Sequence, residues 1–234
     1  GLPGLLLTTS CTHALELAAL LLGLGPGDEV LLPSFTFPST ANAFVLRGAR
    51  PVFCEIQADT LNLDPADAAK RLTPRTRAIV PVHYGGVPCD MDGIAALARD
   101  RSLAVVEDAA QAVGSFYRGQ SAGTLSDASC FSFHETKNIV MGEGGGLCVR
   151  DPALRRRAEV LREKGTDRAA FLRGERDRYT WQDAGSSYVP AKPLTALLCA
   201  QLSRLTEIQS RRMRIWQFYH ESFRALEAAF GWVL

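Results

Sequence analysis

Three short strings carry residue types that could act together on one small molecule. Lys137 stands in Ser132-Phe133-His134-Glu135-Thr136-Lys137-Asn138, after an apolar segment and before the glycine run Gly142 to Gly146. A lysine amine is a nucleophile and a base when uncharged. Asp108 ends the apolar segment Leu103-Ala104-Val105-Val106-Glu107, which puts a carboxylate at the carboxyl edge of the same expected sheet, where α/β folds bind ligands. Thr9-Ser10-Cys11-Thr12-His13 immediately precedes the apolar helical pattern Ala14 to Leu22, so hydroxyls and unpaired backbone N–H groups form an anion site there. Each string also has a plain structural alternative: a solvent-facing lysine, an aspartate that caps Ala109-Ala110-Gln111-Ala112, and an ordinary Ser/Thr helix cap. Together they match what pyridoxal 5'-phosphate (PLP) requires of a protein. A lysine holds its aldehyde as an imine, a carboxylate keeps the pyridine nitrogen protonated so that the ring accepts electrons, and a third group anchors the phosphate.

Strand-like and helix-like segments alternate along the chain, which predicts an α/β layered domain with a largely parallel sheet. Helical segments are expected at Leu15–Leu24, Thr40–Leu46, Ala66–Leu72 and Met91–Arg101, and strands at Glu29–Leu32, Pro51–Cys54, Ala78–Val82, Leu103–Val106, Ser129–Phe133 and Gly146–Val149. The apolar runs are continuous rather than alternating, as in strands covered on both faces. From Pro152 the texture changes. Leu154–Arg162 reads as a basic amphipathic helix, Thr166–Asp183 as a polar loop, and Leu194–Ala229 as long helical periodicity interrupted by Arg211–Arg214. That arginine stretch reads as a solvated helix face rather than a phosphate site.

Composition points to a small ligand. The 234 residues are 47% hydrophobic and 22% charged, with a net charge of +1, so no field draws nucleic acid or an anionic membrane. Six cysteines lack a CxxC pair or metal spacing, which fits reduced thiols in the cytoplasm and no metal site. No run reaches the roughly 18 apolar residues of a membrane span. The chain begins with Gly1 rather than Met and closes on the apolar Phe230–Leu234, so it is expected to be a fragment.

The strings Glu107-Asp108-Ala109-Ala110-Gln111, Ser132 to Asn138 and Gly142-Glu143-Gly144-Gly145 resemble those of the DegT/StrS-type sugar aminotransferases, which are fold-type I PLP enzymes. Gly25-Pro26-Gly27-Asp28-Glu29-Val30, Pro33-Ser34-Phe35-Thr36-Phe37 and Pro81-Val82-His83-Tyr84-Gly85-Gly86 support the likeness, which runs from about Thr8 to Leu205. Within the family, Tyr179 to Tyr188 with its Gly185-Ser186-Ser187-Tyr188 string resembles the branch that makes dTDP-4-amino-4,6-dideoxygalactose, although many relatives have Asn in place of Ser187.

The resemblance implies a PLP-binding large domain over residues 1–205, with a mostly parallel seven-stranded sheet between helices. Residues 206–234 would then link toward a small C-terminal domain that is largely missing. It also implies that Lys137 carries the cofactor and shuttles the proton, that Asp108 pairs with the pyridine nitrogen, and that Gln111 bonds the ring hydroxyl. Phe37 would stack on the ring, while Thr12, the Cys11 backbone amide and Ser132 hold the phosphate. Ser187 would reach the phosphate of a neighbouring subunit, making a homodimer with shared sites. The implied partners are glutamate and a nucleotide-linked keto-sugar. Lys192-Pro193-Leu194 departs from the relatives, where an acidic residue, Leu and Gln usually stand, and Pro193 is expected to reshape the start of the next helix. Two rivals remain: a PLP-dependent sugar dehydratase, which would carry His in place of Lys137, and a non-catalytic remnant of the fold.

Overall fold

The computed structural model describes residues 4–231. In chain order the elements are β1 (Leu6–Thr8), α1 (Cys11–Leu21), β2 (Glu29–Pro33), α2 (Ser39–Val45), β3 (Arg50–Cys54), α3 (Pro65–Lys70), β4 (Thr76–Ile79), α4 (Met91–Arg101), β5 (Ala104–Asp108), β6 (Phe116–Tyr117), β7 (Gln120–Ser121), β8 (Ala128–Ser132), β9 (Gly145–Val149), α5 (Pro152–Arg162), α6 (Arg168–Leu172), α7 (Lys192–Ser203) and α8 (Leu205–Phe230). Seven strands form one sheet in the order β1-β9-β8-β5-β4-β2-β3. The five strands from β8 to β3 run parallel, and β9 is antiparallel to both β8 and β1.

Both faces of the sheet are covered, which explains the unbroken apolar runs. Val30, Leu32, Ala78, Val80, Val106, Cys130, Leu147 and Val149 pack on one face with α1, α2 and α5. Their odd-even neighbours Leu31, Ile79 and Val105 pack against α3 and α4 on the other. Successive strand residues point to opposite faces, so a single run fills two cores. The same alternation sends Asp108 and Ser132, in step with Val106 and Cys130, toward the α1 and α2 side.

Several helix starts follow from local chemistry. Asp64 accepts the N–H of Ala66 ahead of Pro65, and Asp151 accepts those of Ala153 and Leu154 ahead of Pro152. Each pairs a side-chain cap with a proline at a position that needs no N–H. Pro193 behaves likewise: it stands in the first turn of α7, so the helix begins there instead of being broken.

Three local expectations are corrected. The Thr166–Asp183 loop contains the single-turn helix α6, too short for periodicity to reveal. The Arg211–Arg214 stretch does not interrupt the C-terminal helix, because arginine is a good helix former; α8 runs straight through it, and the break falls at Arg204 between α7 and α8. Strand β1 was not anticipated, since three residues are too few to show a pattern. The sequence readings of residues 1–3 and 232–234 lie outside the described residues.

At the amino end of β2, Glu29 is covered by two arginines. It accepts from Thr73 Oγ1 at 2.6 Å, Arg50 at 2.6 Å and Arg75 at 2.9 Å. The Thr73 hydroxyl and then the guanidiniums pull its carboxyl down to about 2, against the opposing effect of burial. A depressed carboxyl stabilises the fold above its unfolded value, and that contribution disappears as pH falls through the folded value. Glu29→Gln is therefore expected to lower Tm at pH 6, with the gap to the parent narrowing between about pH 4.5 and 2. A Tm difference that stays constant across that range would refute the linkage.

Candidate active site

A cavity of about 540 Å³ opens at the carboxyl edge of the sheet, on the α1 and α2 side. Its wall includes Cys11, Thr12, Phe37, Asp108, Gln111, Ser132 and Lys137. Seven of the eight residues singled out in the sequence thus meet around one space. Ser187 does not: it is exposed and bridged to the backbone of Glu163.

Asp108 is the last residue of β5 and is buried. Thr40 Oγ1 donates to its Oδ2 at 2.8 Å, and the Ala110 N–H donates to Oδ1 at 3.1 Å. It therefore caps a turn, while Ala109–Ala112 forms no helix. Burial raises the Asp108 carboxyl above the usual aspartate range, opposed by these two bonds and by the field of Lys137. A cation brought to this carboxylate would relieve that penalty.

Lys137 lies in the loop between β8 and β9, beyond the end of β8, and reaches the same cavity half-buried. It joins no ion pair among the described residues. Gln111 is oriented by the Gly85 N–H, which donates to its Oε1 at 2.7 Å. Its amide NH₂ is thereby left as the donor for a ligand oxygen. Phe37 is 72% exposed on the rim, so one ring face is open to stacking.

One end of the cavity is built on α1. Ser10 caps the helix by accepting the His13 N–H at 3.1 Å, and Cys11 and Thr12 form its first turn. Ser132 lies opposite Gly145 in the ladder, and a Cβ on Gly145 would collide with the backbone of Ser10 and Cys11. Glycine lets the helix N-terminus seat directly against β9. Burial, with a smaller push from Asp108, holds the Cys11 thiol well above the ordinary range. It is thus no nucleophile at neutral pH, and what Cys11 can offer an anion is its N–H.

The amine, buried carboxylate, oriented amide, open aromatic face and helix N-terminus together fit PLP, which presents an aldehyde, a ring nitrogen, a hydroxyl, a flat face and a phosphate. A model of the DegT/DnrJ/EryC1/StrS aminotransferase family matches residues 5–232. The chain belongs to that family. Among its relatives, the spore coat polysaccharide biosynthesis protein SpsC of Bacillus subtilis (strain 168) is 43% identical over 220 residues, 93% of this chain and 57% of SpsC. The GDP-perosamine synthase of Caulobacter vibrioides is 40% identical over 215 residues, 92% of this chain and 56% of the relative. The crystal structure of the aminotransferase TlmJ from Streptoalloteichus hindustanus superposes with a TM-score of 0.86 at 40% identity, over 93% of this chain and 57% of TlmJ. The chain spans rather more than half the length of these family members.

Sequence reasoning missed several cavity residues. Thr40 is the direct partner of Asp108, yet it stands three residues beyond the Pro33–Phe37 string that drew notice. Ser39 bonds Thr12 at 2.8 Å, tying the first turn of α2 to that of α1. His134 and Glu143 pair at 3.1 Å on the rim. His134 stands within Ser132–Asn138 and Glu143 within Gly142–Gly145, and that placement is the one signal the sequence holds for them.

Proposed function

We propose that this chain is the cofactor-binding part of an aminotransferase that moves an amino group from glutamate, through PLP, to the 4-keto carbon of a dTDP-linked 4-keto-6-deoxysugar. The observation that carries the reading is the convergence of Lys137 and Asp108 on one cavity whose wall also includes the N-terminus of α1. When bound, PLP supplies an aldehyde that carries the amino group and a protonated ring that accepts electrons. Lys137 holds the aldehyde and moves the proton at the substrate carbon in each half of the reaction. Asp108 keeps the ring nitrogen protonated, and Gln111 donates to the ring hydroxyl. Phe37 stacks on the ring. The first turn of α1, with Thr12 and the Cys11 N–H, and the hydroxyl of Ser132 bind the phosphate.

We further propose a homodimer in which Ser187 of one copy meets the phosphate end of the other. Its exposure and its absence from the wall of its own cavity support that role. The dTDP preference rests on the Gly185-Ser186-Ser187-Tyr188 string, and the Caulobacter relative's name makes GDP its natural competitor. Protein supplied with PLP, glutamate and a panel of dTDP-, UDP- and GDP-linked 4-keto-sugars is expected to release 2-oxoglutarate with the dTDP sugar at the highest kcat/KM. Preference for the GDP sugar would overturn the nucleotide assignment. Turnover with none of them, together with no yellow complex on adding PLP, would favour the non-catalytic remnant.

A further inference from the structure

Directly behind Asp108 lies a fully buried charged group that the proposed chemistry does not use. Glu107 is 0% exposed, as is His83. The Glu107 carboxylate accepts four donors: His83 Nε2 at 2.9 Å, the Gly123 N–H at 2.6 Å, the Leu125 N–H at 2.8 Å and the Ser126 hydroxyl at 2.6 Å. Burial disfavours its charge, but the bonds from His83 and Ser126 outweigh that cost and hold its carboxyl below the usual range. The Cys89 N–H donates to His83 Nδ1 at 3.1 Å. This fixes the imidazole as the neutral tautomer with its proton on Nε2, directed at Glu107.

The backbone of the same histidine is tied to the cavity. The His83 N–H donates to the Asp108 carbonyl at 3.1 Å, and the Asp108 N–H donates to the Pro81 carbonyl at 2.9 Å. Two residues on, the Gly85 N–H holds Gln111. The segment from Pro81 to Gly85 thus holds the backbone of Asp108 and the side chain of Gln111, the two residues proposed to meet the cofactor ring. Its one fully buried side chain with bonds on both sides is His83.

We propose that His83, pinned between Glu107 and Cys89, is a positioning residue that sets Asp108 and Gln111 against the PLP ring before the cofactor arrives. This rests on the PLP reading above. A buried carboxylate with four donors is costly to rearrange, because each unpaired donor left behind carries its own desolvation penalty. The pair therefore locks the end of β5 in place with a stiffness that a surface contact could not provide.

The test uses His83→Phe, of similar shape but without donor or acceptor, and His83→Gln, whose amide nitrogen can still donate to Glu107. In His83→Phe the PLP dissociation constant is expected to rise by about tenfold or more, the size of one lost charge-assisted hydrogen bond. The absorbance maximum of the bound cofactor is expected to shift as well. His83→Gln is expected to restore both to within about threefold of the parent. Circular dichroism and Tm of the cofactor-free proteins report folding separately. A folded His83→Phe protein with parental affinity and spectrum would overturn the proposal. Should that variant not fold, nitrogen-15 NMR of the parent decides: a mixed or protonated imidazole at His83 in the cofactor-free protein would overturn it, and a single Nε2–H tautomer would support it. If the parent itself forms no yellow complex with PLP, the PLP reading fails rather than the positioning role.

Discussion

Lys137→Ala is expected to abolish the covalent capture of PLP. The parent mixed with PLP should turn yellow, and borohydride treatment should fix a phosphopyridoxyl group on the peptide containing residue 137. The variant should show only the spectrum of the free aldehyde and take up no label. Turnover should fall by at least about 10³-fold, because one side chain supplies both the nucleophile and the proton carrier. The fold should survive, since Lys137 is half-buried in a loop and joins no ion pair among the described residues. Noncovalent binding of PLP should persist through Asp108 and the α1 N-terminus. A variant that keeps the yellow band would transfer the capture to another amine and end the assignment of Lys137.

Much of this site could be read before any coordinates, and the reason is positional. Asp108 and Ser132 each stand at the carboxyl end of a continuous apolar run, and such runs become buried parallel strands whose ends face ligands. Cys11 and Thr12 follow a capping residue at the start of an apolar helix, so their place at an N-terminus was written in local chemistry. What could not be read is which residues cross from another element. Thr40 reaches Asp108 across 68 positions, and His83 reaches Glu107 across 24. A hydroxyl in Pro38-Ser39-Thr40 looks like any helix start until the sheet brings β5 beside it. The same limit explains β1, whose three residues become a strand only because β9 is there to pair with. It also explains Glu107, which in the sequence is only the last residue of the Leu103–Glu107 segment. Its four donors come from two loops whose meeting depends on the whole fold.

Asp108→Asn separates what the fold wants from what the chemistry needs. The Asp108 carboxyl is raised by burial, and an acid raised in the folded state favours folding most at pH below its unfolded value. That contribution is lost as pH climbs through the raised value. In the cofactor-free protein burial thus disfavours the charged form of Asp108, and an asparagine, uncharged at every pH, escapes that penalty. The site can receive the amide: Thr40 Oγ1 is 2.8 Å from Thr36 Oγ1, so the Thr40 hydroxyl can turn its proton toward Thr36 and accept from the new NH₂. Cofactor-free Asp108→Asn is therefore expected to melt above the parent at pH 7 to 8, with the difference shrinking as pH is lowered toward the ordinary aspartate value of 3.8. Activity should move the other way and fall by roughly 10²- to 10³-fold, because an amide cannot keep the ring nitrogen protonated and the ring then accepts electrons poorly. A variant as active as the parent would remove the carboxylate from the reaction. One that melts below the parent at every pH would mean that the Thr40 and Ala110 bonds to the carboxylate are worth more than its burial costs. The opposed signs are the point: a residue kept only for the fold would not be one whose replacement strengthens it.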